Sequence, residues 1–203
     1  LGVLAWFFLP GADSQRGNDA PRLDQIISVL KLPEVWLISM IVLASYSAYW
    51  GTYYFTPLAS DVFMMGAVFG GAVGVGKMWL KPITALVSGY IADRVGIANT
   101  VFWLLVIVIF AFALFTFMPI SSDMMPLLLF GMAITSIAAF GLRGIYFALL
   151  EECSIPVTLT GTAAGVISMI GFTPDVFMPL LGGVLLDHYP GEAGYRYLFA
   201  CIT

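Results

Sequence analysis

The sequence predicts an all-α fold, a polytopic bundle of transmembrane helices, and three observations carry that prediction. The 203 residues are 61% hydrophobic and only 10% charged, with a mean hydropathy of +0.99. A soluble domain carries roughly 25% charged residues, and so few charges cannot cover a water-facing surface. The apolar residues also gather into runs of about 20 or more, the length that crosses the hydrocarbon core. Backbone polar groups cannot stay unpaired in lipid, so such runs must be helices. The short alternating segments of a membrane barrel are absent.

Five stretches meet the length: Val35–Pro57, Val62–Ala92, Ile97–Ile120, Met124–Leu150 and Pro156–Leu186. Residues 1–10 read as the end of a further helix begun upstream, 11–32 as a polar linker, and 33–203 as the helix bundle, with Gly194–Thr203 opening a last span. The linker mixes Asp13, Arg16, Asp19, Arg22, Asp24 and Lys31 and ends in a short amphipathic stretch, Leu23–Leu30. Alternating sides puts Arg16, Arg22, Lys31 and Arg94 together and leaves Arg196 opposite. By the positive-inside rule the first side is cytoplasmic, in the cell's inner (plasma) membrane. Trp50, Tyr53, Tyr54, Tyr189 and Tyr195 then read as an outer aromatic belt.

Several function classes drop out. A net charge of −4, spread over loops, gives no basic face for nucleic acid. Cys153 and Cys201 stand apart without metal-ligand spacing and read as small apolar fillers. No metal site or cofactor motif is present, and neither H-E-x-x-H, G-x-S-x-G nor a Walker loop occurs, which argues against an enzyme and against ATP as the energy source.

Charges within spans are the informative exceptions, because each costs on the order of 2.5–3.5 kcal/mol at a helix centre. Lys77, Lys81, Arg143 and Asp175 are the four. Lys81 precedes Asp93 by twelve positions, roughly 18 Å of helix, and lies near midplane. Lys77 shares its face one turn away. Three cations against one anion make a positive cavity that suits a carboxylate or phosphate, with the guanidinium fork of Arg143 matched to either. Snorkelling is the structural alternative for the lysines, and an internal ion pair is the alternative for Asp175. Tyr46, Tyr49, Trp50 and Tyr53 share a helix face that can cradle an organic substrate, Tyr49 among its contacts, or simply pack. Pro82 and Pro174 remove backbone donors near midplane, where transporters place hinges. Gly141 and Gly144 leave room beside Arg143, while Gly66, Gly70 and Gly74 form a packing stripe.

The loop after the second run reads Gly89-Tyr90-Ile91-Ala92-Asp93-Arg94-Val95-Gly96 and resembles the G-x-L-A-D-R-x-G signature of the major facilitator superfamily. Gly161-Thr162-Ala163-Ala164-Gly165 and Gly194-Tyr195-Arg196-Tyr197 resemble the openings of that family's eleventh and twelfth helices. Ile97-Ala98-Asn99 departs from it by lacking the basic tail. The resemblance implies the C-terminal six-helix half of a twelve-helix fold, from the end of helix six to the start of helix twelve, with an N-terminal half outside this chain. It also implies a cytoplasmic latch: Gly89 for close helix approach, Asp93 capping a neighbouring helix, Gly96 closing the loop, and Arg94 paired with Glu151 or Glu152. The function it implies is secondary active transport of a small organic anion by alternating access, coupled to a proton or a counter-anion. A membrane sensor that binds the same ligand without moving it is the alternative.

Overall fold

The structure is a computed structural model and describes residues 23–62, 67–117 and 124–203. The expected helix end at 1–10, the linker up to residue 22 with Arg16 and Arg22, and Gly66 lie outside the described residues. The rest is helical, with no strand among the described residues. The short α1 (Leu23–Leu30) precedes α2 (Pro33–Gly51), which passes through a 3-10 turn, Thr52–Tyr54, into α3 (Phe55–Asp61). Then come α4 (Ala67–Val95), α5 (Ile97–Phe117) and α6 (Met125–Ile145), the last continuing through Tyr146–Ala148 into α7 (Leu149–Glu152). The chain closes with α8 (Val157–Gly171), α9 (Pro174–His188) and α10 (Glu192–Ile202). Pro33 and Pro174 stand in the first turn of their helices, where a missing N–H removes no helical bond.

Among the described residues, four helical stretches are long and apolar enough to cross a membrane: Pro33–Asp61, Ile97–Phe117, Met125–Glu152 and Val157–His188. All four match runs expected from the sequence. The fifth, α4, is the longest helix at 29 residues, but Lys77 and Lys81 keep it less apolar than the other four. Pro174 breaks its span as expected, since α8 stops at Gly171 and α9 restarts at Pro174. Pro82 does not: α4 runs through it uninterrupted.

Two packing arrangements position the helices. Phe55 of α3, Phe112 and Phe115 of α5 and Phe199 of α10 are fully buried, with ring centroids 5.2–6.2 Å apart. Beside them, Tyr195 donates to Asp61 Oδ2 at 2.8 Å, and Tyr54 donates to the Met178 carbonyl at 3.0 Å. These two tyrosines are interior struts rather than belt residues, because each hydroxyl finds an acceptor on another helix. The second arrangement joins α4 to α6. Ser88 Oγ donates to the Gly141 carbonyl at 3.1 Å, and a Cβ added to Gly144 would stand 3.1 Å from Ala85. Gly141 and Gly144 therefore hold two helices close instead of leaving room for a ligand.

Candidate functional site

The site starts from a row of aromatics on α2, and its Tyr53, Arg143 and Asp175 side chains are exposed. Helical spacing puts Tyr46, Tyr49, Trp50 and, one turn on, Tyr53 along one face. Tyr46 stacks on Tyr49 with centroids 5.5 Å apart, and Tyr53 meets Tyr49 edge-on at 5.3 Å with their hydroxyls 2.7 Å apart. Phe172, at the break between α8 and α9, and Phe140 of α6 flank the row. Neither phenylalanine stands out in the sequence, although Phe140 lies one turn before Arg143.

The three cations converge on this row from two helices. Lys81 donates to the Tyr49 hydroxyl at 3.0 Å, with its ammonium 5.2 Å from the Tyr49 ring centre and 5.4 Å from that of Phe140. The Arg143 guanidinium lies 4.2 Å from the Tyr49 ring centre and 5.2 Å from that of Tyr46. Lys77 donates to the Thr52 carbonyl in the 3-10 turn and stands 5.4 Å from the Tyr53 ring centre. It turns inward rather than snorkelling, because the tightened turn offers a carbonyl that can accept a second bond. Aromatic faces attract cations without cancelling their charge. Among the described residues, no acidic side chain forms an ion pair with Lys77, Lys81 or Arg143. The two lysines border a cavity of about 330 Å³, walled also by Thr52, Thr56 and Phe140.

Asp175 takes a different place. It does not pair with a cation; its Oδ1 accepts from Trp50 Nε1 at 2.8 Å and from the Tyr46 hydroxyl at 3.0 Å. It stands in the first turn of α9, where the helix dipole favours a carboxylate. Asp175 thus ties the restart of the broken span to the aromatic row. Of the five expected contact residues, Lys77, Lys81, Arg143 and Tyr49 share one site, and Asp175 holds its edge.

The latch is not formed as expected. Arg94 makes no ion pair among the described residues and lies over Tyr90, one turn earlier on its own helix, at 4.4 Å. Asp93 is exposed, and a Cβ on Gly89 would meet nothing within 4 Å. The acidic cap comes from Glu152, whose Oε2 accepts the Ala98 N–H at 2.7 Å and covers the N-terminus of α5. Gly96 closes the α4–α5 corner with φ +98°, a left-handed conformation suited to glycine.

No family model matches the chain, and no solved structure matches it. Two curated proteins of Escherichia coli (strain K12) do. Inner membrane protein YihN is 29% identical over all of this chain and 50% of its own length. Inner membrane protein YqcE is 23% identical over 98% of this chain and 49% of its own. The chain spans about half the length of the curated relatives it matches. The resemblance to the major facilitator superfamily is corrected accordingly. No family model supports it, the chain matches about half the length of each of these two inner membrane proteins, and the implied ion pair of Arg94 does not form among the described residues. The numbering of the chain as helices six to twelve lapses with it, while the helical membrane fold stands on the apolar spans themselves. The chain is a multi-pass protein of the inner (plasma) membrane.

Proposed function

We propose that this chain supplies the cationic side of a secondary active transporter that carries a small organic anion across the inner membrane. One observation carries the reading: Lys77, Lys81 and Arg143 gather on one aromatic bed with no acidic partner among the described residues. Cations held without a counter-charge in a span are costly, and a bound anion offsets that cost. The aromatic row adds apolar contact for the organic part of the solute. Two helix interruptions adjoin the bed, the 3-10 turn at Thr52–Tyr54 and the break before Pro174. Such interruptions are where alternating access can bend the helices around a fixed site. A proton or counter-anion gradient is the energy source in this scheme.

The test is uptake and binding by the intact protein in proteoliposomes, with organic carboxylates and phosphate esters against a neutral sugar. Lys81→Gln and Arg143→Gln should each weaken anion binding about 10- to 150-fold, the equivalent of roughly 1.5–3 kcal/mol for a charge-assisted hydrogen bond. Arg143→Lys should restore little, because a point charge does not reproduce the planar fork that lies over the Tyr49 ring. Preference for the neutral sugar, or unchanged affinity in both glutamine variants, would end this reading.

A further inference from the structure

The helix before the first span has three chemically distinct sides. At about 100° per residue, Leu23, Ile27 and Leu30 fall within roughly 60° of one another. All three are exposed, Leu23 to 76%. Asp24 and Ser28 occupy the next sector, also exposed. Gln25, Ile26 and Val29 fill the third and turn toward the protein: Val29 is buried, and Gln25 and Ile26 border a groove with Thr158 and Gly161 of α8. An ordinary surface helix needs only two sides, one for the core and one for water. Among the described residues, the apolar sector of α1 has no counterpart.

We infer that α1 is an interfacial helix, lying in the plane of the membrane with Leu23, Ile27 and Leu30 inserted among lipid headgroups and upper acyl chains. Its position argues for lipid as the occupant. Only Lys31 and Leu32 separate it from Pro33, where the first span begins, so it is held at the boundary of the hydrocarbon. Large apolar side chains are exposed again at Trp36 and Leu37, at the start of that span. Trp36 is a side chain suited to the headgroup level, and its Nε1–H donates to the Leu30 carbonyl at 2.9 Å. That bond satisfies an orphan carbonyl at the end of α1 and fixes the angle between the two helices. Residues 23–31 carry one acid, Asp24, and one base, Lys31, so apolar insertion rather than attraction to anionic lipid holds the helix.

The experiment places single cysteines at Leu23, Ile27, Asp24 and Ser28 of the intact protein after Cys153 and Cys201 are changed to serine. Each is labelled with an environment-sensitive fluorophore in phosphatidylcholine nanodiscs, with and without phosphatidylglycerol. Labels at positions 23 and 27 should be quenched by lipids brominated near the headgroup and shielded from aqueous iodide. Labels at positions 24 and 28 should show the reverse, and added phosphatidylglycerol should change neither pattern. Iodide quenching at 27 equal to that at 28 would overturn the inference in favour of a solvated helix. Shielding of 27 from both quenchers would overturn it in favour of a covering protein surface. Quenching that appears only with phosphatidylglycerol would overturn the apolar mode of attachment.

Discussion

At Asp175, two donors from one helix meet one carboxylate oxygen from another. A carboxylate beside three cations invites the reading of a substrate contact, yet an anionic solute would be repelled by it. Its geometry is that of a clasp between α9 and the aromatic row. Asparagine keeps an acceptor oxygen for Trp50 and Tyr46 but drops the charge, whereas alanine drops both. Asp175→Asn should therefore bind the anion at least as tightly as the parent, and Asp175→Ala should bind it at least tenfold more weakly; loss in both alike would mark a direct ligand. Cys153 offers a second test at this scale. Partial burial raises its thiol pKa, and the nearby Glu34 and Glu152 charges raise it further. Because the thiolate is the reactive form, alkylation near neutral pH should be slow. Glu152→Gln should speed it there and make little difference well above the thiol's pKa, which a pH series of labelling rates would measure. The cations were legible in the sequence because charge is rare in apolar runs. The partner of Asp175 was not, since Trp50 and Tyr46 lie more than a hundred positions away. Only the packing of α9 on α2 brings them within reach.

Between helices, the contact that most constrains the site is α4 against α6. Gly144 approaches Ala85 so closely that an added Cβ would press on it at 3.1 Å, and Ser88 reaches across to the Gly141 carbonyl. This pairing sets Lys81, one turn before Ala85, beside Arg143. Gly144→Val should cost about 1–3 kcal/mol through overpacking and should weaken anion binding as Lys81 and Arg143 separate. Gly89→Val, on the same α4, should leave both unchanged, because its Cβ meets open space. Thermal unfolding in detergent together with anion binding would check the pair. The contrast shows what a sequence can reveal about helices. Apolar length and Pro174 gave the spans and one break, since both act through local backbone chemistry. Which glycines are packed depends on the rotation of α4 against its neighbours. The motif placed the close approach at Gly89, and the fold places it at Gly141 and Gly144 on the opposing helix.

For the whole molecule, the architecture turns on α4 crossing the membrane. Hydropathy alone sets it apart from the four clear spans. Three physical points favour crossing. Its 29 residues extend about 44 Å, more than the roughly 30 Å hydrocarbon core requires. Both lysines turn toward α2, where aromatic faces, a tyrosine hydroxyl and a backbone carbonyl receive them, so neither charge needs to meet lipid. Its outer face presents Trp79, Ile83, Leu86 and Val87, an apolar side matched to acyl chains. Crossing also fixes parity along the chain. Single cysteines at Asp61 and Arg94 should be labelled by a membrane-impermeant maleimide from opposite sides. Cys153 should share the side of Arg94, after α5 and α6–α7 have crossed in turn, and a cysteine at Glu192 should share the side of Asp61. If Asp61 and Arg94 react from the same side, α4 does not span, and the lysine-bearing face cannot reach the middle of the bilayer. That outcome would remove the site together with the topology, because both depend on α4 standing upright against α2 and α6.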